Sequence, residues 1–237
     1  MPVYIYSITG KQHPLRLDGL GGVGEPPAPL RTVTDGPLCA VVSDAPDDLR
    51  PKRRDIGAHQ AVQVRLMADG TVLPLRFGLT AADDEAVRLA LEERAEEYMD
   101  RLQALEGCVE YNLKVSQDEE ALLRQILQES STARELNNVV RSSTASRDAS
   151  LALGELVAQE VQARQAALGS GVLEALRPFA RDHQSSQPTG SDFLNVSFLV
   201  THDQDELFLT TELSVANQMG EDFEFRLNGP LPPYSFV

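Results

Sequence analysis

Arg76 is the one charged side chain in Val72-Leu73-Pro74-Leu75-Arg76-Phe77-Gly78, and a guanidinium beside core positions calls for a counter-charge. An unpaired buried charge is costly, so the residue is expected to meet a carboxylate. Glu110, in the alternating run Cys108–Val115, is the first candidate. Four histidines offer acid–base or metal chemistry: His13, His59, His183 and His202. His59 falls on the apolar stripe of a helical stretch, where a lone imidazole reads as hydrogen-bonded structure. His183 and His202 flank a strand, but two histidines with no third ligand do not make a metal centre. Cys39 and Cys108 sit far apart in apolar runs, fit no metal spacing and read as small buried hydrophobes. Glu92, Glu93, Glu96 and Glu97 are tempting as ligands and read instead as the solvated face of a helix, with Glu97 four residues before Arg101.

Gly19-Leu20-Gly21-Gly22-Val23-Gly24 is a literal G-x-G-x-x-G. In a dinucleotide site those glycines close a strand-to-helix turn so that pyrophosphate meets the helix N-terminus. Here the match begins ten residues after a strand and runs into Glu25-Pro26-Pro27-Ala28-Pro29, where no helix starts normally. It therefore reads as an irregular loop. There is no G-x-S-x-G, P-loop or H-E-x-x-H motif, and no catalytic constellation can be assembled. The expectation is a protein that is not an enzyme and needs no cofactor or metal.

The elements that must position these residues follow from their periodicities. Val3–Thr9 is β-branched and aromatic, and Leu38–Ser43 is a second strand, with Leu30–Thr34 as a short edge beside it. Lys52–Ala68 and Asp83–Glu106 read as amphipathic helices on either side of the Val72–Gly78 strand. Cys108–Val115 closes this half, which suits a variant of the ferredoxin-like layout with helices on one face of a sheet. Asp118–Ala180 is helical in pattern. Leu153, Val157, Val161 and Leu168 form a stripe for a long helix or coiled-coil arm, Gly169-Ser170-Gly171 reads as a break, and Ser130–Ser146 is polar enough to bend. His183–Asp192 reads as a loop, Phe193–Val200 and Phe223–Leu227 as strands, and Asp203–Met219 as a helix. The class is α+β, with an N-terminal domain over residues 1–116 and a helix-rich C-terminal domain over 117–237 that includes a docked tail. In that tail Tyr234 and Phe236 lie two apart and could fill one groove.

The chain has 237 residues, 36 acidic and 21 basic, for a formal charge of −15. Such a surface repels phosphate backbones and argues against nucleic acid as a partner. Met1–Gly10 lacks the basic start and apolar core of a signal peptide, and no stretch approaches the ~20 apolar residues of a spanning helix, so a soluble cytoplasmic protein is expected, with no membrane partner.

Six segments, in order, resemble the gas vesicle protein family GvpL/GvpF. They are Val3-Tyr4-Ile5-Tyr6, then Gly36–Ser43 (G-P-L-C-A-V-V-S), and Val72–Gly78 (V-L-P-L-R-F-G) preceded by the helical His59. Val109–Val115, Leu194–Val200 and Gly229–Phe236 follow, the last reading G-P-L-P-P-Y-S-F with Leu231 where the family usually has Trp. The resemblance implies two domains, each a modified ferredoxin-like fold with helical additions. It also implies an accessory or minor structural protein of gas vesicles that binds the hydrophobic shell protein, limits its aggregation during nucleation and assembly, and works with other accessory proteins. No catalytic residues carry over. Arg76, Phe77, Tyr234 and Phe236 are the candidate partner contacts; His59, Arg76, Glu110, Gly229 and Pro230 are the candidate structural residues. The competing class is an enzyme or small-ligand module with its site in the cleft between two ferredoxin-like domains.

Overall fold

The computed structural model describes residues 1–142 and 147–237. The first elements are β1 (Val3–Gly10), β2 (Arg31–Asp35), β3 (Leu38–Asp44), α1 (Arg53–Asp69), β4 (Val72–Pro74), β5 (Thr80–Ala81), α2 (Asp84–Glu93) and α3 (Ala95–Ala104). They are followed by β6 (Cys108–Gln117), α4 (Glu119–Glu129), α5 (Ser131–Arg141), α6 (Arg147–Leu176), β7 (Asp182–Ser185), β8 (Asp192–Thr201), α7 (Asp205–Met219) and β9 (Phe223–Leu231). Single 3-10 turns cover Arg177–Phe179 and Tyr234–Phe236. By its contacts the chain divides into two compact units. The first comprises Met1–Tyr111, Leu199–His202 and Gly229–Val237; the second comprises Asn112–Phe198 and Asp203–Asn228.

The first sheet runs β2-β3-β1-β4, with β5 pairing β1, and its pairs are antiparallel. A register shift between Ile5 and Ser7 inserts one extra residue into β1. Side chains alternate along a strand, so the extra residue switches parity. Val3 and Ile8, an odd and an even position, consequently reach one core together with Val87 and Leu91 of α2, Leu102 of α3 and Leu105 just after it. Tyr4 and Tyr6 reach a different core with Val41, Val72, and Val62 and Leu66 of α1. The expected layout with helices on one face is thus corrected. The strands are apolar on both sides because both sides are covered, which is why β3 is buried from Leu38 to Ser43 without alternation. The α+β class holds, with a second sheet ordered β7-β8-β6-β9.

Several boundaries depart from the sequence expectation for identifiable reasons. The helix expected over Asp83–Glu106 is interrupted at Arg94 (φ −116°, ψ 23°), whose guanidinium makes two 2.8 Å bonds to Glu97 and lies 5.0 Å from the Tyr98 ring centre. An unbroken helix would set Glu92 against Glu96 and Glu93 against Glu97, like-charge pairs at helical spacing. Conversely, the expected break at Gly169-Ser170-Gly171 does not occur. α6 runs through it, since glycine in a helix costs only about 1 kcal/mol and here Gly169, Val172 and Leu176 are buried. Lower down, Leu156 and Val161 of α6 pack on Leu122, Ile126 and Ala133 of α4 and α5. Of the expected stripe, Val161 with the neighbouring Leu156 thus packs within its own unit. The polar stretch 130–146 contains α5, capped by Ser130 Oγ accepting from the Ala133 N–H; its residues 143–146 lie outside those described. β7 replaces part of the loop expected over His183–Asp192, and its mostly exposed polar side chains left no pattern to read.

Candidate functional site

His59 stands at the centre of the first unit's site. The imidazole is 4% exposed, on the α1 face turned to the sheet. The N–H of Gly78 donates to the Tyr4 hydroxyl (3.3 Å), and that hydroxyl lies 2.9 Å from His59 Nδ1. With Tyr4 donating, Nδ1 accepts and the ring proton sits on Nε2, which faces the Tyr234 hydroxyl at 3.4 Å. The rings of Tyr4, Tyr6, Phe77 and Tyr234 surround the imidazole with centroids between 5.7 and 6.5 Å. Burial holds His59 below its ordinary value, with a hydrogen bond to the Leu75 carbonyl acting in the opposite sense. Burial also raises Tyr4, and pushes Tyr234 up to about 12 with the Glu110 charge assisting. Near neutrality the imidazole is therefore uncharged and the phenols protonated, as suits a structural cluster that fastens Leu75–Gly78 to α1 and β1.

Glu110 on β6 is 4% exposed, and its partner is the tail rather than Arg76. One carboxylate oxygen accepts the Ser235 N–H at 2.8 Å and the other accepts the Ser235 hydroxyl at 2.7 Å. Arg76 is exposed and, among the described residues, forms no ion pair, so the expected Arg76–Glu110 pair is corrected. A carboxylate in a core needs donors, and neutral ones suffice. The tail arrives through Gly229 and Pro230, joined by a cis peptide bond. A Cβ at Gly229 would run into the Tyr111 ring and the Glu110 carbonyl, so only glycine lets the chain pass there. Phe236 and Val237 then pack against the core that contains Val3, Leu73 and Leu91. Sequence reasoning missed Tyr4 and Ser235, although the alternation of Tyr4 with Tyr6 placed both rings on one face.

The Gly-rich loop is fastened in the same way. Val23 N–H donates to the Tyr6 hydroxyl (2.7 Å) and Gly24 N–H to the buried Asp55 carboxylate (2.9 Å). The Tyr6 hydroxyl also lies 2.9 Å from Ser43 Oγ, and a Cβ at Gly22 would strike that hydroxyl. Two loop amides that a phosphate would need are already engaged, and no helix follows. Both cysteines are buried free thiols. Among the described residues there is no group of three or more His, Cys, Asp or Glu that could hold a metal, and no helix is long and apolar enough to cross a membrane.

Beside this cluster, between the first sheet and the helices α2 and α3, runs a groove of about 620 Å³. Leu73, Leu75, Leu79, Val87 and Leu91 line it, and Arg76, Arg94 and Arg101 also reach it.

The family model described as "Gas vesicle synthesis protein GvpL/GvpF" matches residues 2–237. Gas vesicle protein F of Streptomyces sp. (strain CB03234) is 44% identical over 238 residues, covering 100% of both chains. Gas vesicle protein F of Dolichospermum flosaquae is 25% identical over 242 residues, covering 100% of this chain and 98% of its own. In fold, the crystal structure of GvpF from Anabaena sp. PCC7120 superposes with a TM-score of 0.87 at 22% identity, covering 99% of this chain and 97% of that one. With the family pattern spanning both units, the chain belongs to the GvpL/GvpF family of gas vesicle synthesis proteins.

Proposed function

We propose that this protein is a cytoplasmic, non-enzymatic accessory or minor structural component that binds the hydrophobic gas vesicle shell protein and limits its aggregation during nucleation and assembly, alongside other accessory proteins. The observation that carries this reading is the family match over residues 2–237, supported by a full-length relative at 44% identity. The physical chemistry is compatible. A subunit with a large apolar face needs a partner that offers apolar area and keeps the complex dispersed, and a charge of −15 serves the second need. Of the four residues proposed as contacts, Phe77, Tyr234 and Phe236 are half-buried in the unit's own packing, whereas Arg76 is exposed. The contact role therefore suits Arg76, with the aromatics holding in place the loop that follows β4 and carries it. The test is co-purification of tagged protein with shell subunit, together with light scattering of the subunit on dilution from denaturant. Binding and suppressed scattering are expected; neither occurring overturns the reading.

A further inference from the structure

We propose that the groove between the first sheet and α2–α3 receives an apolar segment of the shell subunit that carries an acidic side chain, with Arg76 taking the carboxylate. The proposal rests on the shell-binding reading and deepens it. Its first support is charge. Arg76, Arg94 and Arg101 all line the groove, and among the described residues no Asp or Glu does. Arg94 and Arg101 both bond to one carboxylate, Glu97, while Arg76 has no ion pair among the described residues. Counting Glu97 and the α-carboxylate of Val237, which also lines the groove, three guanidinium groups meet two carboxylates and one positive charge is left over, in a chain whose formal charge is −15. A basic or neutral apolar segment would gain nothing from that arrangement; an acidic one would.

The second support is shape and lining. A volume of about 620 Å³ lies within the usual range for ligand pockets, roughly 300–1,000 Å³. The wall is aliphatic: Leu73, Val87 and Leu91 form its floor from the core, Leu75 is half-buried and Leu79 is 46% exposed. An apolar segment entering the groove would cover Leu79 and leave its acid beside Arg76. The His59 cluster then has a positioning role, because Tyr4 and His59 hold the backbone of Leu75–Gly78 that carries Arg76.

The experiment measures binding of shell subunit to four forms of the full chain: unaltered, Arg76→Glu, Ala90→Trp and Arg53→Glu. Ala90 is an exposed groove residue, and tryptophan there would fill the space; Arg53 is exposed outside the groove and controls for net charge. Melting curves check folding, and 1-anilinonaphthalene-8-sulfonate serves as a probe of apolar-anion binding independent of the subunit. Expected are an affinity loss of about tenfold or more for Arg76→Glu and Ala90→Trp, little change for Arg53→Glu, and a matching loss of probe fluorescence. Equal weakening by Arg53→Glu, or full affinity in both groove variants, overturns the groove while the shell-binding reading stands. Absence of subunit binding to the unaltered chain overturns that reading and this occupant with it, and probe fluorescence still lost in the groove variants then assigns the groove to a small apolar anion. Self-association abolished by Ala90→Trp would instead make a second copy the occupant.

Discussion

Glu110 and Arg76 show how far single residues could be read. Each was recognisable as a charge placed among apolar neighbours, and pairing them was the economical inference. The structure satisfies Glu110 with the two donors of Ser235 and leaves Arg76 in solvent. Nothing local in the sequence announces a serine 125 positions away as the partner of a buried acid. Two stability predictions separate the roles. Arg76→Ala should leave the denaturant midpoint unchanged within ~0.5 kcal/mol, as for a surface position. Glu110→Ala strands both donors of Ser235 and should cost about 1.5–3 kcal/mol, read as a fall in melting temperature. His59 adds a pH signature. Its folded value lies below the ordinary 6.5, so the folded chain binds this proton less tightly than the unfolded one. The associated stability is present above pH 6.5 and drains away as pH falls through the folded value. Thermal melts from pH 7.5 to 5 should show that slope, and His59→Gln should lower the whole curve while flattening it.

At the scale of elements, most strands and helices were legible because their side chains alternate or recur at helical spacing. The misreadings cluster where burial or charge overrides local propensity. Glycine in α6 is tolerated because its face is packed, β7 is mostly exposed polar side chain, and the α2–α3 interruption is a matter of crowded carboxylates. The tail docks through Tyr234, Ser235 and Phe236, but in a 3-10 turn rather than an extended segment. Tyr234 therefore stands at His59 while Phe236 packs on the core of Val3 and Leu91, and the two rings do not share the one groove expected. Truncation after Gly229 should therefore lower the melting temperature sharply, since loss of a packed Phe alone costs ~3–5 kcal/mol. An unchanged melt would mean that the tail contributes nothing to the fold. α7 carries a second titratable oddity, Glu212, 9% exposed and, among the described residues, without an ion pair. Burial raises its carboxyl above 4.5, so here the folded chain binds the proton more tightly. The stability from that group is present below pH 4.5 and is lost as pH rises through the folded value. Glu212→Gln should accordingly raise the melting temperature at pH 7, and the advantage should vanish at pH 4.

The whole molecule is acidic, with an isoelectric point near 4.6, and under the proposed function its charge does the dispersing. Suppression of shell-subunit scattering should be strong at pH 7.5 and fail as pH approaches 4.6, with the chain still folded by circular dichroism; suppression independent of pH would remove charge from the explanation. The first unit is also assembled from three separate stretches of chain, the last of them Gly229–Val237. A ribosome makes His59 175 residues before it makes Tyr234. At typical synthesis rates of ~5–20 residues per second that interval is on the order of 10–30 s. Throughout it the imidazole lacks its Tyr234 neighbour, and Glu110, once made, lacks the two donors of Ser235. A chain that stops short of Ser235 thus leaves the Glu110 carboxylate, set among apolar neighbours, without its two donors.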